Sequence, residues 1–63
     1  MSRQLSFIMN IINRPLSNQE LQVLEDMISG GKTDLTEKTS NICAYFNVED
    51  KRMDIYNALN AHQ

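Results

Sequence analysis

The two residue types that carry most nucleophilic and metal chemistry occur once each, as Cys43 and His62. A structural zinc site draws four ligands from Cys and His, so one chain with a single copy of each does not build one. A lone thiol also forms no intrachain disulfide. Cys43 follows Ile42 in an apolar-periodic stretch, the usual setting of a small buried hydrophobe. A reactive thiol needs exposure and a depressed pKa, and Lys38 is the one base within sequence reach. Cross-linking of two chains through Cys43 under oxidation is the alternative. His62 has no Ser, Cys or metal cluster to work with and reads as a solvated residue. Ser29-Gly30-Gly31-Lys32-Thr33 ends like a phosphate-binding loop. The full pattern needs a glycine where Asp26 stands, and it needs a strand before it. A helix end and turn is the expectation there. Glu25-Asp26 and Glu49-Asp50 are neighbours in sequence, so on a helix their side chains diverge rather than form an acid/base pair. No catalytic, cofactor-binding or metal-binding residue is therefore expected, and neither is an enzyme.

Sixty-three residues of 7.3 kDa make at most one small domain, expected to span 1–63. Chains of this size bury only about 60% of the surface that the unfolded state exposes. Without disulfide or metal, self-association is the expected source of extra stability, and a homodimer is the expected assembly. The formal charge is −2, and the six bases are scattered. From Glu20 onward the chain holds all eight acids and four of the bases. Phosphate contact needs clustered Lys and Arg, so nucleic-acid binding is disfavoured, and a basic protein surface suits the acidic part better. The apolar stretch Leu5 to Ile12 is too short to span a bilayer, which takes about 20 residues. It also lacks the cleavage site of a secretory signal. A cytoplasmic protein without a transmembrane segment is expected.

Pro15 and Gly30-Gly31 divide the chain into three apolar-periodic blocks, which predict an all-α fold of three or four short helices. In the first, about 3–13, Leu5, Ile8, Met9 and Ile12 follow one helix face, while Phe7 and Ile11 lie off it. A helix apolar on two sides is usually covered on two sides, and so short a chain has little to cover both. A strand here, or Phe7 packed under the Pro15 turn, are the alternatives. The second block opens with a capping box, Ser17 with Glu20, and Leu16 can staple against Leu21. Leu21, Leu24, Met27 and Ile28 form its stripe over 18–29, and Gly30-Gly31 is expected to end it in the left-handed conformation. The third block starts at Thr33-Asp34, with Asp34 and Glu37 at capping-box spacing. Its first stripe is Leu35, Thr39, Ile42 and Phe46; its second is Val48, Arg52, Ile55 and Leu59. The stripes are out of phase on one straight helix. Either the helix breaks near Asn47, leaving Glu49 and Asp50 at the start of a fourth, or it runs on with Tyr45, Met53 and Tyr56 filling a wide apolar face.

Residues 16–24 (Leu16-Ser17-Asn18-Gln19-Glu20-Leu21-Gln22-Val23-Leu24) resemble the opening of the LuxR-type helix-turn-helix domain. Ser40-Asn41-Ile42 and Phe46-Asn47-Val48 resemble its close. The stretch between them is shorter than in that family, and its second helix would offer Asp34, Glu37 and one lysine to a DNA groove. Residues 16–59 resemble in layout the small enterobacterial connector proteins of the YmgB/AriR type. The likeness lies in Leu24-Glu25-Asp26-Met27-Ile28-Ser29-Gly30-Gly31-Lys32, Leu35-Thr36-Glu37-Lys38, Ile42-Cys43 and Ile55-Tyr56-Asn57-Ala58-Leu59. The spacing between Lys38 and Tyr56 is shorter here. That resemblance implies a two-helix hairpin that dimerises and adjusts biofilm, acid-resistance or envelope-signalling pathways by binding protein, with no catalytic residues.

The expected function is accordingly a small regulatory adaptor that binds another protein, such as a signalling or transcription regulator, through apolar helix faces. Phe7, Ile11, Tyr45, Met53 and Tyr56 are the expected interface, since aromatic and methionine anchors carry much of the energy at such contacts. The alternative is a small DNA-binding transcriptional regulator whose dimer juxtaposes Arg3, Arg14, Lys32 and Lys38. A membrane-surface peptide using Leu5 to Ile12 is a third.

Overall fold

The computed structural model describes residues 3–31 and 33–61. Among these the chain forms four α-helices and one 3₁₀ turn, with no strand: α1 (Arg3–Ile12), α2 (Asn18–Ser29), α3 (Leu35–Phe46), the turn Glu49–Lys51, and α4 (Arg52–Ala61). The all-α bundle expected from periodicity is what forms. Residues 16–59 contain three of the helices, where the YmgB/AriR-type likeness implies two.

Local chemistry sets each boundary. Ser17 Oγ accepts from the Glu20 N–H at 3.2 Å while Glu20 Oε1 accepts from the Ser17 N–H at 3.0 Å, closing the capping box that starts α2. Asp34 starts α3 by accepting from the Glu37 N–H at 2.8 Å. Asn13 and Asn47 end α1 and α3 in the left-handed region, each with φ 58°. The Val48 N–H then reaches back to the Cys43 carbonyl at 3.0 Å, five residues earlier, as in a Schellman ending. Of the two readings of residues 34–60, the broken helix is therefore the one that occurs: the reversal at Asn47 absorbs the phase difference between the stripes. Glu49 and Asp50 then stand in the turn that leads into α4.

One expectation needs correction. Neither Gly30 nor Gly31 has a positive φ; Gly30 lies at φ −60°, ψ 102°. The end of α2 is closed instead by Lys38 Nζ, which donates to the Ile28 carbonyl at 2.9 Å. Lys51 Nζ does the same for α1, donating to the Ile11 carbonyl at 2.8 Å. Each ammonium sits where the helix dipole is negative and satisfies a carbonyl with no intrahelical partner.

The four stripes meet in one core. Ile8, Leu24, Ile42 and Ile55 are fully enclosed, with Leu5, Ile12, Ile28, Phe46, Val48 and Leu59 around them. Thr39 is buried within its stripe because its hydroxyl donates to the Leu35 carbonyl one turn back, at 2.9 Å. Helices α1 and α4 run antiparallel: Gln4 Nε2 donates to the Leu59 carbonyl at one end of the pair, and Lys51 meets Ile11 at the other. The accessible surface is 4176 Å², against about 4,200 Å² for a folded monomer of this mass. The radius of gyration is 10.3 Å, against about 10.6 Å for a compact chain of this length. A single protomer thus closes its own core, and the second chain anticipated as a source of stability is not needed for that.

Candidate protein-interaction site

The five residues expected at the interface come from three helices: Phe7 and Ile11 from α1, Tyr45 from α3, and Met53 and Tyr56 from α4. Phe7, on α1, is 43% exposed. Ile11, one turn later, is half-buried and packs against the protomer's own core. Of the two residues expected to point away from their own interior, Phe7 is thus partly exposed and Ile11 is packed on the core. The reason is that α4 lies along this flank of α1, as the bonds from Gln4 and Lys51 show. Periodicity gives the angle of Ile11 on its helix but not which neighbour fills that angle.

Tyr45 is 48% exposed, with its ring edge-on to Phe46 at a centroid distance of 4.8 Å. On the α3 wheel, Tyr45 and Ser40 fall on opposite flanks of the buried stripe. Ser40 Oγ accepts from Arg52 Nη1 of α4 at 2.9 Å, so Tyr45 occupies the flank away from α4. The Arg14 guanidinium stands over the other partner of the ring pair, 5.9 Å from the Phe46 centroid. Beside it the corner between α1 and α2 forms a shallow open depression lined by Met9, Asn10, Asn13, Arg14, Pro15 and Leu16. Sequence reasoning did not single out this corner, because it exists only once Pro15 has turned the chain.

Met53 and Tyr56, both on α4, do share a face. Met53 is 67% exposed, the most open large apolar side chain among the described residues, and Tyr56 is half-buried one turn on. Residues three and four positions away on a helix are its lateral neighbours; for Met53 these are Glu49, Asp50, Tyr56 and Asn57. The cations of this segment are bonded within the chain. Lys51 holds the end of α1, and Arg52 is bound to Ser40 and, through two nitrogens, to Glu49 at 2.9 and 3.0 Å. Asp50 and Asp54 are exposed and enter no ion pair among the described residues.

The groups considered first for chemistry take other roles. Cys43 is fully enclosed. Burial pushes its thiol up; the Glu49 charge pushes the same way and Arg52 opposes it. The ordinary location of a reactive thiol is thereby lost. Glu20 is held below the usual carboxyl range by the Ser17 backbone N–H and by the Arg14 guanidinium, 3.0 Å away. No cluster of three or more His, Cys, Asp or Glu capable of holding a metal occurs among the described residues. Among the described residues no helix is long and apolar enough to cross a membrane. His62 and Lys32 lie outside the described residues. No family model, curated protein or solved structure matches the chain.

Proposed function

We infer that this chain is a small cytoplasmic regulatory adaptor, without catalysis of its own, that acts by binding protein through apolar side chains presented on its helices. The observation that carries this reading is the placement of Phe7, Tyr45 and Met53: a chain whose core is already closed leaves all three between 43% and 67% exposed. Scattered exposed apolar residues are common on soluble proteins; here they are aromatic and methionine side chains, the types enriched at protein contacts. Phe7 is the proposed anchor for pairing of two folded protomers, and the Met53–Tyr56 face of α4 that for another protein. The YmgB/AriR-type resemblance points the same way, toward a dimeric connector of regulatory pathways.

Binding to DNA is the weaker reading, because two of its four cations are committed. Arg14 is paired with Glu20, and Lys38 is spent on the end of α2. A gel shift with a steep salt dependence would favour DNA; no retention at low salt removes it. The adaptor reading is tested by parallel capture from native extract with the wild type, Phe7→Asp and Met53→Asp. It expects a protein retained by the wild type and lost from at least one variant whose helix content is unchanged. Equal retention by all three contradicts it.

A further inference from the structure

We propose that the outward face of α4 is a docking surface for a basic amphipathic helix of a partner protein. The proposal rests on the adaptor reading and names the chemistry of its partner. Met53 stands 67% exposed at the centre of this face, with Tyr56 beside it. Asp50, one turn earlier, is its lateral neighbour on the helix, and Asp54 follows it in sequence; both are exposed. In most acidic-basic stretches of helix the opposite charges neutralise one another at the surface. Here Lys51 and Arg52 lie between the two aspartates in sequence; Lys51 reaches inward to the Ile11 carbonyl, while Arg52 spans from Ser40 to the exposed Glu49 carboxylate with its own side chain 41% exposed. Lys51 is thus drawn off the face and Arg52 is matched by Glu49, which leaves Asp50 and Asp54 beside the apolar anchor with no ion-pair partner among the described residues.

That arrangement selects its occupant. An amphipathic helix lays its apolar side on such an anchor, and Lys or Arg along its edges complement the carboxylates. A second copy of this chain fits poorly, because a two-fold pairing sets the same patch against itself and brings the aspartates of both copies together.

The test uses the full chain and a short synthetic helix of leucine and lysine, with a leucine–glutamate helix as control. Backbone amide shifts report where each binds, and sizing on the same samples reports oligomeric state. The expected result is saturable binding of the basic helix, with shifts centred on residues 50–57, weakened by salt and absent with the acidic helix. Met53→Ala and, separately, Asp50→Asn with Asp54→Asn each weaken it about fivefold or more. Shifts spread over the acidic surface, or an affinity unchanged in Met53→Ala, would overturn the proposal, since bare charge attraction would then suffice. Self-association that disappears in Met53→Ala would also overturn it by assigning the face to a second copy. Binding at residues 50–57 by a chain that sizes as a monomer would leave this proposal standing while removing the Phe7 dimer.

Discussion

The inner and outer faces of α4 are built from the same ten residues and obey opposite rules. Inward, Ile55 and Leu59 are sealed against α1 and α3. Outward, Met53 stands in water between carboxylates. The inner face is covered by the rest of the chain, whereas on the outer face Met53 is 67% exposed and Tyr56 only half-buried. Apolar character alone therefore does not distinguish core from contact surface. The angle on the helix does, together with where the neighbouring cations are sent.

Substitutions separate the two faces most sharply by size of effect. Ile55→Ala, which opens a cavity at a fully enclosed site, is expected to cost about 2–5 kcal/mol in urea unfolding, enough to unfold much of so small a chain. Met53→Ala is expected to fall within about 0.5 kcal/mol of wild type. A Met53 variant as damaging as the Ile55 variant would erase the distinction. Lys51→Met is expected to cost about 1 kcal/mol, since it orphans the Ile11 carbonyl and loosens α1 from the turn before α4. Asn47→Gly is expected to change stability by only a few tenths of a kcal/mol, whereas Asn47→Val, forced to φ 58°, is expected to cost at least about 1 kcal/mol. That pair tests whether the reversal at Asn47 creates the two faces.

A smaller effect belongs to pH. The folded state lowers the Glu20 pKa, so its contribution is present above the unfolded value and is lost as pH falls through the folded one. Thermal melts on the acid side of the ordinary glutamate range are expected to show this loss in the wild type and less of it in Glu20→Gln. An identical acid slope in both would remove Glu20 from the account.

The caps and stripes were legible in the sequence because they depend on spacing within a few residues. Ser17 with Glu20, Asp34 before Glu37, and the series Leu5, Ile8 and Ile12 are of this kind. Asn47 was legible only as one of two readings, because a change of phase shows that something bends without showing that it must. The glycines misled for a related reason: Gly30-Gly31 permits the left-handed ending without requiring it, and Lys38 supplies another. Lys51 and Ile11 meet across 40 residues, and no local pattern announces that bond. Yet it accompanies the packing of α4 along α1 and draws the Lys51 charge to the Ile11 carbonyl. The candidate site was thus visible as residue types and invisible as a surface.

The dimer within the adaptor account depends on whether folded protomers use Phe7 to meet another copy. Sedimentation over a wide concentration range, on the wild type and on Phe7→Asp, tests this most directly. The account predicts a dimer that becomes a folded monomer in the variant. A wild type that stays monomeric and stable at the highest concentration, or a variant that still dimerises, contradicts the Phe7 dimer.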